Sequence, residues 1–457
     1  MRKGIIISTA LFAFVAFTAC RQTGTVEESV PDWFETDSVV AIAARTAADF
    51  SLSRPALLEL LRQNDPDITD ADIDTFLLKH YIEAKTIDGE QRFHRKSARN
   101  IRLLNPAMNG GFEHRGANAS GARISYVDSV LNFYKGSNNR GLSHLVNYRF
   151  TVDVPYCEAI AGDTLRVWMP LPLTSDRSSR QRDVTILSSY PQNYIMSGPR
   201  SVHNTIYFEA PSPAPGDTAH FEYTANFVTS GMYVSDEDIK AKILPYDTSR
   251  IEYRQYTRLP DGNHIVRLDS LARAIVGDET NPFVQSEKIF DYIIDRYPWA
   301  GAREYSTISC IPEYVVREGH GDCGQVSLLY ISLMRSLGVP ARWESGWMLH
   351  PGEVNLHDWA EVYFEGIGWL PVDVSFGRYT GAGNDEIAGF YSHGIDSHRF
   401  ATNKGVGGLL YPAKKFVRSE TVDFQLGEVE TLHGNLYYPA WDSSLELISV
   451  EPIEENK

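Results

Sequence analysis

Positive charge is what this sequence is short of. Lysine and arginine total 43 against 59 aspartates and glutamates, a formal net charge of −16. No dense basic cluster offsets that balance, so nothing in the composition supports nucleic-acid binding. Long apolar runs are missing too. Beyond the N-terminus none approaches ~20 residues, so the mature chain is not expected to cross a membrane as a helix. No internal repeat marks a solenoid or propeller. The composition of extended disorder is absent, because 43% of the residues are hydrophobic and 22% charged, the balance of a globular protein. Cysteine is scarce, with four in the chain: Cys20, Cys157, Cys310 and Cys323. The length, 457 residues, leaves room for roughly two to four domains.

What the sequence does hold is concentrated between residues 321 and 373. Around Cys323 it reads Gly321-Asp-Cys-Gly-Gln325. Val326, Leu329, Tyr330, Leu333, Met334 and Leu337 then recur at the spacing of one helix face. Gly338 and Pro340 stop that helix, and Asp322 is positioned to cap its start. The pattern predicts Cys323 in the first turn of a buried helix. There the dipole and unpaired N–H groups favour a thiolate. The Cys323 N–H is also positioned to donate to an oxyanion.

A nucleophilic thiol needs a base, and the base needs an orienter. The run from His357 to Phe364 has strand character, as does that from Trp369 to Val374, and Glu365-Gly-Ile-Gly368 between them reads as a hairpin turn. A Glu365-Gly366 loop sets His357 opposite Val374 and one step from Asp373. A Gly366-Ile367 loop moves the register by two residues. In either register His357 and Asp373 come close on adjacent strands, and the helix has only to pack on that hairpin to bring in Cys323. Asp358 is the rival orienter, but alternation points it to the opposite strand face. Glu361 shares the His357 face, either as a further partner or as a cross-strand charge.

Gly321-Asp-Cys-Gly324, the run from Leu337 to Arg342, Gly346, His357-Asp-Trp-Ala-Glu361 and the run from Gly368 to Asp373 together resemble the catalytic core of the transglutaminase-like superfamily. This is the papain-like group with chain order Cys, His, Asp. Cys323 and His357 stand 34 residues apart and His357 and Asp373 stand 16 apart, spacings usual for that core. The resemblance covers about residues 265–380. It implies an α+β fold in which the helix bearing the cysteine packs on an antiparallel sheet. It also implies that Cys323 attacks an amide carbonyl, His357 carries the proton and Asp373 fixes the imidazole tautomer. A thioester forms and is resolved by water or an amine, with a peptide or protein substrate, no metal and no organic cofactor. Hydrolysis is expected over cross-linking, since nothing near the motifs marks a dedicated lysine channel. A second reading is a non-catalytic cell-surface module that binds a peptide or glycan on the same fold.

The flanks are less specific. Arg2-Lys3 precede an apolar stretch to Thr18 that has the size of a signal h-region. It ends Phe17-Thr-Ala-Cys20 and resembles a bacterial lipoprotein signal. That implies cleavage after residue 19, lipidation of Cys20, and anchoring in the bacterial cell envelope at the outer membrane or cell surface. Residues 20–37 read as a tether, 38–141 as a helical segment and linker, and 142–262 as a β-sandwich-like domain. Residues 263–383 read as the core, and 384–457 as C-terminal strands and loops packing on it. Cys157 and Cys310 are left as either a disulfide or two buried thiols. Tyr297 and Trp299, just upstream of the cysteine, read as core aromatics. His393 and His398 read as a polar loop, because the sequence offers no third metal ligand.

Overall fold

Alternation at period two builds the first sheet. Along the strand Ser143–Pro155 the side chains of Val146, Tyr148, Phe150, Val152 and Val154 are buried while their neighbours are half-exposed. This strand pairs antiparallel with Thr218–Ser230 on one side and Asp442–Ile453 on the other, and Gln181–Tyr190 adds to Thr218–Ser230. A second sheet runs in the order Phe34–Glu35, Asn435–Leu436, Glu428–Glu430, Thr164–Pro170, Thr205–Pro211 and Ile195–Met196. The two sheets share one apolar core, in which Val146, Phe150 and Val152 meet Leu165, Val167 and Phe208.

The computed structural model describes residues 31, 33–105, 121–136, 142–174, 180–198, 201–380 and 385–453. The signal segment, Cys20 and most of the tether lie outside the described residues. Asp32–Lys457 form one compact unit. The fold is mixed α/β with antiparallel sheets.

A third sheet carries the motifs. Its order is Gly368–Val372, Glu353–Phe364, Ala341–His350 and Arg399–Asn403, all antiparallel. The helix Cys323–Ser336 packs on it, with Pro282–Arg296, Asp269–Val276 and Ile311–Glu318 around. Asn281 Oδ1 accepts from Phe283 N at 3.0 Å and Pro282 takes the first helical turn, as the Asn-Pro pair predicts. Every residue from Gly324 to Arg335 is buried, so the cysteine helix is enclosed all round rather than along one stripe.

Two segments differ from the sequence expectation. The stretch 38–104 holds four helices, but also a hairpin of Ala84–Ile87 with Glu90–Phe93. Its turn is Asp88-Gly89, both at positive φ (52° and 81°), the Asp-Gly signature of a tight β-turn. The C-terminal stretch does not simply cover the core. Among its described residues only Arg399–Asn403 joins the core sheet, while Glu428–Glu430, Asn435–Leu436 and Asp442–Ile453 complete the two sandwiched sheets.

Candidate active site

The cysteine is held by its cap. Asp322 Oδ1 accepts from Gln325 N at 3.0 Å and Gln325 Oε1 accepts from Asp322 N at 3.1 Å, a reciprocal capping box. Tyr305 Oη donates to the same Asp322 Oδ1 at 2.5 Å. Cys323 is the first residue of the helix. Gly324 follows because nothing larger fits: a Cβ there would lie 2.4 Å from Tyr305 Oη and 2.6 Å from Asp358 Oδ2.

The hairpin has neither of the two registers that the sequence suggested. Phe364 pairs with Gly368, Val362 with Leu370 and Ala360 with Val372, so the turn holds Glu365, Gly366 and Ile367. Gly366 and Gly368 both take positive φ (87° and 107°), which lets the turn accept the extra residue. The parity matters. Either expected loop would put Asp373 on the strand face opposite His357, whereas this turn puts both on the same face. His357 Nε2 and Asp373 Oδ2 stand 2.7 Å apart.

Asp373 is buried and has further partners. Its Oδ1 accepts from Phe376 N at 2.9 Å, and its Oδ2 accepts from Arg399 Nη1 at 2.8 Å. Burial works to raise its pKa, but its interactions with His357 and Arg399, with the Phe376 N–H, outweigh it and hold the carboxyl below its ordinary value. An ionised carboxylate only accepts, so His357 Nε2 carries the hydrogen and Nδ1 keeps the lone pair. Burial lowers the His357 pKa against the opposing pull of Asp373, so the imidazole is a neutral base in the resting site.

Cys323 and His357 open into one cleft of about 380 Å³, walled by Trp299, Met348 and Phe376 and, from the N-terminal segment, by Arg99 and Leu103. The Arg99 guanidinium lies over the Trp299 ring at 5.1 Å. The helix Ser97–Leu104 is docked there by Asn100, whose Oδ1 accepts from Gly301 N at 2.8 Å and whose Nδ2 donates to Gly301 O at 3.0 Å. The stretch read as a packing segment thus borders the cleft, and Trp299 is a wall rather than a purely internal aromatic. A larger cavity of about 620 Å³ includes none of Cys323, His357 and Asp373. Its cations are already paired: Arg335 with Asp261, Arg342 with Glu361, and Lys404 with Glu361 and Glu344. Glu361 is therefore a cross-strand charge.

Asp358 is the residue that sequence reasoning set aside. Alternation does turn it away from His357, and that turn delivers it to the cysteine helix. Cys323 Sγ donates to Asp358 Oδ2 at 3.7 Å, and Gln425 Nε2 donates to Asp358 Oδ1 at 2.8 Å. Burial, then the carboxyls of Asp423 and Asp322, push the Asp358 pKa well up. Burial, then Asp358 and Asp322, push the Cys323 thiol well up. Enclosure and the neighbouring acids thus act against the thiolate that the helix start favours. The signal available in sequence was the acid directly after His357, on the strand face that must meet the helix.

The remaining cysteines and histidines have separate settings. Cys157 and Cys310 are free, and burial raises both thiols. His398 Nδ1 bonds Tyr126 Oη, while His393 Nδ1 bonds Ser392 Oγ, so the two histidines of that loop answer to different partners.

Residues 269–374 match the model of the transglutaminase-like superfamily. An uncharacterized protein of Bacillus subtilis (strain 168), YebA, is 26% identical over 180 residues, which are 34% of this chain. The matched part spans 23% of that relative's length. Among solved structures, a candidate cysteine protease from Cytophaga hutchinsonii aligns with TM-score 0.45 and 14% identity, covering 70% of this chain and 93% of that one. The periplasmic domain of TgpA from Pseudomonas aeruginosa aligns with TM-score 0.27 and 12% identity, covering 54% and 92%.

Proposed function

Since residues 269–374 are a transglutaminase-like domain, we propose that the chain is a cysteine enzyme that breaks peptide or glutamine-type amide bonds. The observation that carries this reading is that Cys323 and His357 open into one cleft while Asp373 holds the far nitrogen of the imidazole. His357 Nδ1 takes the Cys323 proton as sulfur attacks the amide carbon. The oxyanion is met by the Cys323 N–H at the helix start. The carbon–nitrogen bond breaks, the imidazolium gives its proton to the leaving amine, and a thioester remains. Water, deprotonated by His357, attacks the thioester and returns the thiol and a carboxylic acid. Asp373 stays ionised throughout and stabilises the imidazolium.

Water is the acceptor of choice in this reading, because transfer needs a site that excludes water and positions a neutral amine. The chain is further read as anchored through lipidated Cys20 in the bacterial cell envelope. The test offers a glutamine-containing peptide together with a labelled primary amine. Ammonia release, cleavage and amine incorporation are followed by mass spectrometry, with Cys323→Ala as blank. Incorporation that outpaces hydrolysis refutes the hydrolase and keeps the acyl-enzyme.

A second reading, peptide binding without chemistry, draws on the Cys323–Asp358 hydrogen bond and the raised thiol. An acyl-thioester trapped from wild type but not from His357→Ala excludes it.

A further inference from the structure

Three stretches outside the cleft converge on one point. Asp236 lies in the first turn of the helix Asp236–Lys242, Glu287 on Pro282–Arg296, and His393 ends Asp385–His393. One ligand atom from each lies within 4.8 Å of the other two. His393 Nε2 is 3.3 Å from Asp236 Oδ1, and its side chain is only 4% exposed.

The hydrogen bonds around His393 define what Nε2 presents. Ser392 Oγ donates its only hydrogen to Gly389 O at 2.8 Å. The 2.6 Å contact between Ser392 Oγ and His393 Nδ1 must therefore be donated by Nδ1–H. Nε2 then carries a lone pair, is buried, and has no hydrogen-bond partner among the described residues. It faces a carboxylate oxygen, another acceptor. Two acceptors at that separation call for a cation between them. Glu287 adds a third acceptor within 4.8 Å of the other two. Lys240 Nζ bonds the other Asp236 oxygen at 2.9 Å and is half-exposed, which leaves Oδ1 directed at the imidazole.

We propose that Asp236, Glu287 and His393 bind one divalent transition-metal cation, with zinc the best match. One imidazole nitrogen and two carboxylates suit a borderline metal better than calcium or magnesium, which prefer all-oxygen shells. The Nδ1–H to Ser392 bond is the outer-shell contact that fixes the ligating tautomer. Asp236 and Glu287 are partly exposed, so water can complete the coordination. The ion would clip the segment leaving the sandwiched strand Thr218–Ser230 to two helices of the core. The site is separate from Cys323 and takes no part in the proposed amide chemistry.

The test titrates zinc chloride alone into metal-free protein by calorimetry, in a Cys323→Ala chain so that the cleft thiol cannot contribute. One zinc per chain is expected, with X-ray absorption showing a nitrogen and oxygen shell free of sulfur. His393→Ala should weaken binding by more than the about 10–100-fold that loss of an outer-shell partner costs. Glu287→Gln, a partly exposed and nearly isosteric change, guards against misfolding and should weaken binding too. Absence of stoichiometric zinc, unchanged affinity in Glu287→Gln, sulfur in the shell, or tighter calcium than zinc binding would each overturn the proposal.

Discussion

Arg399 Nη1 donates to Asp373 Oδ2, the same oxygen that receives the His357 Nε2 hydrogen. Its other nitrogens, Nε and Nη2, donate to Asp396 Oδ2 at 3.1 and 2.9 Å. Both carboxylates and the guanidinium are fully buried. The orienter of the imidazole is therefore itself oriented, from the strand Arg399–Asn403 on the far edge of the same sheet. Arg399→Met strands two buried carboxylates. It should destabilise the protein by about 3–5 kcal/mol, measured by urea unfolding.

The same network sets a pH dependence. Asp373 and Asp396 are both held below their ordinary values, their interactions with His357, Arg399 and His350 outweighing burial. A carboxyl depressed in the folded state contributes stability above its unfolded pKa of ~3.9. That contribution is lost as pH falls below this value toward the folded pKa. The urea midpoint should thus decline steeply below about pH 4. In a chain carrying Asp373→Asn the decline should be shallower.

For kcat/KM the relevant group is His357, which must be neutral to accept the thiol proton. Burial lowers its pKa from 6.5, so the acid limb of the pH profile should have its midpoint below that value. Asp373→Asn removes the charge that opposes burial and should move the limb further down. His357→Gln should cost on the order of 10²–10⁴-fold in rate with the fold retained by circular dichroism.

Asp358 bonds the nucleophile, and whenever it is ionised it repels the thiolate. Asp358→Asn removes that ionisable group while keeping the shape and the contact to Gln425. The midpoint of Cys323 alkylation by iodoacetamide should move to lower pH. An unchanged midpoint, read by peptide mapping against Cys157 and Cys310, would exclude an influence of Asp358 on the thiol.

On the proposal that Cys20 carries the anchor, Cys20→Ala should release the protein from the membrane fraction, since stable retention requires the multiple acyl chains of a lipoprotein anchor. Retention equal to wild type would place the anchor elsewhere.

The parts of the site built by short-range rules could be read in the sequence. Helical spacing after Cys323, its Asp322 cap and the Gly338 stop fix one element. Strand alternation on either side of Glu365-Gly-Ile-Gly368 fixes the next. The length of that turn was not legible, because several loops satisfy the same glycines and only packing selects among them. The Asp88-Gly89 hairpin was legible but lay among helical signals that overrode it. Arg399, Gln425 and Arg99 reach the site across long chain separations, and no local pattern marks them. Alternation turns Asp358 away from His357, and its contact with Cys323 depends on how the helix packs on that sheet face, which no local pattern marks.

The strand Asp442–Ile453 runs beside Ser143–Pro155, with Arg149 and Glu446 paired across 297 residues of chain. This has a consequence for biosynthesis. The stretch 269–374 emerges from the ribosome while the earlier strand still waits for its late neighbour. Until then Ser143–Pro155 presents an unpaired backbone edge thirteen residues long, a template for strands of other chains. A nascent chain halted after the core would carry the complete catalytic sequence and still be prone to stick. Its failure would be seen as aggregation and proteolysis, although none of the missing residues lines the cleft.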